Sequence, residues 1–78
     1  MRQKEWKTIV TFHTVTEAMA MESECMKEKI PGRIIPVPRE ITAGCGLSFM
    51  MPACWQEKIQ EWMKSKSLIW ESVGEYYI

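Results

Sequence analysis

Aspartate and asparagine are both absent from this chain of 78 residues. Without them the sequence lacks the usual ligands of calcium-binding loops and the Asn-Gly and Asp-Gly pairs of tight β-hairpins. A strong charge of either sign is also missing, since ten basic residues balance ten acidic ones. The bulk charge therefore gives no sign of a nucleic-acid partner or an anionic membrane surface, and we expect neither.

Long apolar runs are missing too: none approaches the ~20 residues that a transmembrane helix needs. The charged segment Met1–Lys7 does not resemble a signal peptide. Three cysteines are present, an odd number, and no two are spaced as Cys-x-x-Cys. Since a disulfide framework needs paired cysteines, we expect a reducing, cytoplasmic setting. In that setting a cysteine serves packing, metal binding or thiolate chemistry.

The apolar residues that are present suit one small domain spanning residues 1–78. A chain of this length buries only ~60% of the surface that its unfolded form exposes, so its core must be efficient. Four Trp, two Phe, two Tyr and seven Met supply bulky side chains for such a core. No internal repeat, linker or low-complexity segment divides the chain.

Hydrophobic periodicity predicts a strand and a helix in the first half. Trp6–Phe12 is rich in β-branched and aromatic residues, which is typical of a strand. Thr14 followed by Glu17 three residues later forms a capping box, which predicts a helix over Val15–Lys29. The Pro31-Gly32 pair that follows would end this helix.

The second half predicts two more strands, a helix and a last strand. Arg33–Val37 is a short strand whose Pro36 and Pro38 indicate an edge position or a strand end, because proline cannot donate to a ladder. Leu47–Met51 alternates as a third strand, Pro52 lies near the first turn of the second helix, and Leu68–Tyr77 closes as a fourth strand. The apolar stripe of the second helix consists of Trp55, Ile59, Trp62 and Met63. The order β-α-β-β-α-β predicts an α+β, ferredoxin-like fold with two helices on one face of a four-stranded antiparallel sheet.

This topology sorts the candidate functional residues. The end of strand one, the start of helix one and the loop between strands two and three share one edge of the sheet. His13, Arg39 and Cys45 belong to those segments. Cys54 falls at the opposite edge, roughly 20 Å away along strand three. We expect Cys25, on the apolar face of helix one, to be a core residue, and Cys54 to be a half-buried, inert thiol.

Cys45 differs because it lies between Gly44 and Gly46 in a loop, where packing gives little reason for a cysteine. Glycines let successive N–H groups point into one concavity that binds an anion. The start of helix one would add N–H groups from the same edge. The predicted anion-binding residues are Gly44, Gly46, Thr42 and Thr14.

Two readings of this loop stay open. In the first, Arg39 supplies a permanent positive charge and His13 a proton partner, so that a Cys45 thiolate is favoured. In the second, the loop is a tight turn with a half-packed cysteine, and His13 serves as a capping or hydrogen-bonded residue. One Cys and one His do not reach the four ligands of a zinc site. We therefore expect neither a metal nor a cofactor.

One stretch of the chain resembles a known family. The segment Ile34-Ile35-Pro36-Val37-Pro38-Arg39-Glu40-Ile41, followed by Gly44-Cys45-Gly46-Leu47, is similar to the signature of a selenium/sulfur carrier protein-like family of short bacterial domains. The likeness extends over roughly residues 8–75. It implies that Cys45 holds sulfur or selenium, as a persulfide or selenosulfide, and passes it on. It implies no such role for Cys25 or Cys54.

Two functions of different class follow. In the first, the protein is a sulfur or selenium carrier that meets a donor protein and an acceptor protein through Cys45. In the second, it is a non-catalytic module that binds a small anion or a partner protein, and Cys45 is structural. A homodimer formed through sheet edges or exposed Met and Trp is compatible with both. The sequence leaves open whether the protein is an enzyme.

Overall fold

The secondary structure follows the predicted order. The structure, a computed structural model, describes residues 5–38, 41 and 46–77. Its elements are β1 (Trp6–Thr11), α1 (Val15–Lys27), β2 (Arg33–Pro36), β3 (Leu47–Pro52), a 3-10 turn (Ala53–Trp55), α2 (Gln56–Ser65) and β4 (Ser72–Tyr77). This β-α-β-β-α-β order confirms the predicted α+β, ferredoxin-like fold.

The four strands form one antiparallel sheet in the order β2-β3-β1-β4. β1 lies in the interior of the sheet, where Val10 pairs with Phe49 of β3 on one side and with Val73 of β4 on the other. β2 lies at an edge and ends at Pro36. The edge position that the proline indicated is therefore confirmed, since an edge strand need not donate every backbone N–H.

Both helices pack on one face of the sheet. Val10 and Phe49 are opposite each other in register, so their side chains share a face. The buried cluster on that face contains Val10, Phe12, Phe49 and Met51 of the sheet side, Ala18, Met21 and Cys25 of α1, and Ile59 and Met63 of α2. Each large apolar side chain buried in this way stabilises the fold by about 1.5–3 kcal/mol. Of the apolar stripe predicted for the second helix, Ile59 and Met63 are buried in the core, and Trp55 and Trp62 pack against it.

Several element ends differ from the sequence-based prediction. α1 stops at Lys27, and Lys29 turns the chain away with a φ of 57°. β4 begins at Ser72 instead of Leu68, because the Leu68 N–H donates to the Met63 carbonyl at 3.0 Å and so closes the end of α2. Pro52 ends β3, and a 3-10 turn separates it from α2.

Candidate functional site

The start of α1 and the residues on either side of the β2–β3 connection lie at the same end of the sheet, where β1 ends and β3 begins. Thr11, the last residue of β1, pairs with Ser48 near the start of β3. Across the connection, the Val37 N–H donates to the Gly46 carbonyl at 3.0 Å. Because only Phe12 separates His13 from the end of β1, the topology brings His13 to the end of the sheet where this connection begins and ends.

The central residues of the predicted site lie outside the described part of the chain. These are Arg39, Thr42, Gly44 and Cys45. Their roles therefore remain predictions. Gly46, the last residue of the predicted loop, is described: it is exposed and has a φ of +77°, in the left-handed region that favours glycine. A Cβ atom at this position would meet no atom within 4 Å, so the backbone conformation, and not crowding, favours glycine here.

His13 and Thr14 are joined by the side chain of Glu17. The Oε1 atom of Glu17 accepts the backbone N–H of His13 at 2.8 Å and lies 3.0 Å from Nδ1 of the same histidine. In return, the Thr14 hydroxyl accepts the Glu17 N–H at 3.3 Å, which makes Thr14 the N-cap of α1. The Thr14 half of the predicted capping box is thus confirmed, whereas the Glu17 carboxylate accepts the N–H of His13, the residue before the cap.

These contacts favour the charged form of the Glu17 carboxyl group. Partial burial raises its pKa. The backbone N–H and the ring of His13, together with the backbone at Thr14, lower the pKa by more than burial raises it. The net effect is a pKa below the usual value. A carboxylate at a helix start also interacts favourably with the helix dipole.

The network changes the interpretation of the predicted anion site. The Thr14 hydroxyl, which was expected to face a bound anion, already accepts the Glu17 N–H, and the backbone N–H of the neighbouring His13 donates to the Glu17 carboxylate. The His13 side chain nevertheless remains 55% exposed. Glu17 itself was not among the predicted site residues, although its i, i+4 spacing from His13 is the spacing at which helical side chains meet.

Cys25 is a core residue, as predicted. Its side chain lies in the buried cluster and is 2% exposed. Burial raises the pKa of the Cys25 thiol to about 12, and the nearby charges of Glu28 and Glu24 add to this effect. Because the thiolate is the nucleophile, this thiol is unreactive near neutral pH.

Cys54 is exposed, so the expectation of a half-buried thiol is wrong. It lies in the 3-10 turn before α2, and Trp55 is the residue of that turn that packs against the core. The thiol borders a shallow cleft of about 610 Å³ together with Lys58 and Glu75. β3 separates this end of the sheet from Gly46, a distance of about 20 Å for a strand of this length.

Other described residues bear on partners and ligands. No described helix has both the length and the apolar character to cross a membrane. The described residues also contain no cluster of three or more His, Cys, Asp or Glu side chains placed to hold a metal ion. Trp6, Met19 and Met26 are more than half exposed, and the homodimer through such residues remains a prediction.

Comparison with known proteins identifies a family. Neither the curated proteins nor the solved structures include a match to this chain. A family model described as "Putative Se/S carrier protein-like" matches residues 7–75, which extends from β1 into β4 and covers most of the chain. This protein therefore belongs to the Se/S carrier protein-like family.

Proposed function

We propose that this protein carries sulfur or selenium on Cys45, as a persulfide or selenosulfide, between a donor protein and an acceptor protein. The observation that supports the proposal is the family match, which runs over residues 7–75 and therefore includes Cys45. Family membership supports a carrier function. Cys45, between two glycines, is the residue of the matched region best suited to hold the sulfur or selenium atom.

The transfer of sulfur needs only thiolate exchange. The Cys45 thiolate attacks the outer sulfur of a donor persulfide and forms a new S–S bond. The donor's own S–S bond breaks, and its electron pair leaves on the donor cysteine as a thiolate. The outer sulfur keeps its proton during the exchange and then releases it to solvent, which leaves the terminal sulfur anionic, and no external oxidant or reductant is needed. An acceptor thiolate removes the sulfur by the same exchange.

Residues at the sheet edge suit this chemistry. His13 comes after β1 and has an exposed ring. It lies at the end of the sheet where Val37 and Gly46, on either side of the β2–β3 connection, are hydrogen bonded. We propose that His13 takes the proton from the Cys45 thiol, and that Arg39 stabilises the negative charge on the terminal sulfur or selenium. Gly44, Gly46 and Thr42 would supply backbone N–H groups to the same anion, with Thr14 at the adjacent helix start.

The other two cysteines are poorly suited to the role. Cys25 is buried, and its high pKa keeps the thiol protonated. Cys54 is exposed but lies at the far end of β3, away from His13. It therefore serves as an internal control: an accessible thiol in the same molecule, without the predicted loop around it.

The pH dependence of Cys45 alkylation tests the proposal against the non-catalytic module. The experiment uses Cys54→Ser, in which Cys45 is the thiol that reacts near neutral pH, and compares it with Cys45→Ser, which reports Cys54. We expect the rate at Cys45 to reach half its maximum well below the ordinary thiol pKa of ~8.5. A midpoint at or above that value would overturn the carrier proposal. It would support the module, in which His13 and Thr14 serve only to cap α1, as their contacts with Glu17 allow.

A further inference from the structure

Glu17 makes a contact with His13 that capping of α1 does not require. The carboxylate is tied to the helix start by the backbone N–H of His13, the residue before the N-cap, which donates to Glu17 Oε1 at 2.8 Å. The same oxygen also lies 3.0 Å from the ring atom Nδ1. One carboxylate oxygen thus fixes both the backbone and the ring of His13, so the orientation of the ring is tied to the start of the helix.

This contact determines which ring nitrogen carries the hydrogen. An ionised carboxylate has no hydrogen to donate, so Nδ1 must be the donor. In the neutral ring Nδ1 then holds the hydrogen, and Nε2 is left with its lone pair. Because 55% of the His13 side chain is exposed, the ring is open to approach at the sheet edge.

We propose that Glu17 is a positioning residue, which holds His13 in the Nδ1–H form so that Nε2 receives the proton of the Cys45 thiol. The proposal rests on the proposed function. In the step itself the S–H bond of Cys45 breaks, its electron pair stays on sulfur, and a new N–H bond forms at Nε2. The ring becomes a cation beside the Glu17 carboxylate, which stabilises it as the aspartate of a catalytic triad stabilises its histidine.

Other charged groups at this edge also bear on the pH dependence. Glu71 donates its backbone N–H to the Thr11 carbonyl at 2.7 Å, so this residue lies beside the end of β1. Glu71 therefore lies at the same end of the sheet as Glu17. Arg39 and Glu40 lie outside the described residues. The effect of losing the Glu17–His13 contact therefore has to be separated from the effect of losing one negative charge.

The nitrogen spectrum of the histidine ring tests the first half of the proposal. His13 is the one histidine of the chain, so a two-bond ¹H–¹⁵N correlation spectrum of the whole protein reports this ring without overlap. We expect the neutral ring to be mainly the Nδ1–H tautomer. Glu17→Ala should shift the population toward Nε2–H, and Glu22→Ala on the same helix should not. Glu17→Gln should retain the wild-type tautomer, because its amide oxygen still has to accept the His13 backbone N–H.

A mainly Nε2–H ring in the wild type, or the same tautomer in Glu17→Ala, would overturn the proposal. This measurement does not depend on whether Cys45 accepts sulfur, so it fails or succeeds independently of the carrier function.

Alkylation of Cys45 tests the second half. In the Cys54→Ser background, His13→Asn keeps an N–H donor near the position of Nδ1 but has no counterpart of Nε2. We expect it to slow alkylation at pH 7 about tenfold or more, as loss of a proton acceptor does. Glu17→Ala should slow it by a smaller factor and move the midpoint upward. Circular dichroism confirms that each variant is folded. An unchanged rate in folded His13→Asn would overturn the role of Nε2, even if sulfur transfer to Cys45 were observed.

Discussion

The indole N–H of Trp62 on α2 donates to the carboxylate of Glu28 at the end of α1, with 3.1 Å between Nε1 and Oε1. The other carboxylate oxygen, Oε2, forms an ion pair with Lys66 at the end of α2. Glu28 therefore connects the two helices beside the core that they share. The contacts with Lys66 and Trp62 lower the pKa of Glu28, and the contact with Glu28 raises that of Lys66.

Glu28→Gln should make the free energy of unfolding depend less on pH between pH 3 and 7. The folded-state pKa of Glu28 lies below its ordinary value of 4.5, so its contribution is present above pH 4.5 and is lost as the pH falls through the folded value. Lys66, with a raised pKa, loses its contribution when the pH rises through a value above 10.5. Urea unfolding between pH 3 and 7, followed by tryptophan fluorescence, measures this dependence. Equal pH profiles for Glu28→Gln, the wild type and the control Glu61→Gln would contradict the prediction.

Cys54 should react with an alkylating reagent at neutral pH long before Cys25 does. Cys54 is exposed, whereas Cys25 is 2% exposed and has a pKa of about 12. Peptide mapping after timed labelling of the native protein gives the two rates, and labelling in denaturant should make them similar. Comparable rates in the native protein would mean that Cys25 does not lie in the core.

Gly32→Ala should destabilise the protein more than Gly46→Ala. Both glycines have positive φ, so alanine strains the backbone at either position, at a cost of about 1 kcal/mol. At Gly32 the new Cβ would also overlap a ring carbon of Phe49 and lie 2.7 Å from the Met50 carbonyl oxygen, whereas at Gly46 it meets nothing within 4 Å. We expect this crowding to add about 2 kcal/mol to the loss, measured by urea unfolding. Equal losses would mean that Phe49 is not packed against Gly32.

Thr14→Ala should lower the free energy of unfolding by about 1 kcal/mol, because the alanine cannot accept the Glu17 N–H at the start of α1. Thr14→Ser keeps the hydroxyl and should have almost no effect. Thermal unfolding of the two variants gives the comparison, and a Ser variant as unstable as the Ala variant would show that the cap is not the reason.

The order of the elements and the core could be predicted because they depend on local periodicity. Ala18, Met21 and Cys25 recur at helical spacing, and all three are buried in α1. The position of Cys54 could not be predicted in this way. Its exposure follows from the 3-10 turn at Ala53–Trp55, which rotates the residues before α2 out of the register of that helix.

The candidate site could be predicted only in part. The shared edge followed from the topology, because antiparallel strands in this order bring the end of β1 to the start of β3. The contact of Glu17 with the His13 ring could not be predicted from the capping-box pattern, because that pattern predicts only a contact of the carboxylate with a backbone N–H. The contact of Trp62 with Glu28 joins residues 34 positions apart and has no local signal.

Transfer of sulfur to Cys45 is the central claim, and the mass of the intact protein tests it most directly. The protein is incubated with a persulfide-bearing donor protein and weighed without reduction, beside Cys45→Ser and Cys54→Ser. We predict a gain of one sulfur atom in the wild type and in Cys54→Ser, removed by a thiol reductant, and no gain in Cys45→Ser. The same gain in the wild type and in Cys45→Ser, or no gain in any of the three, would contradict the account.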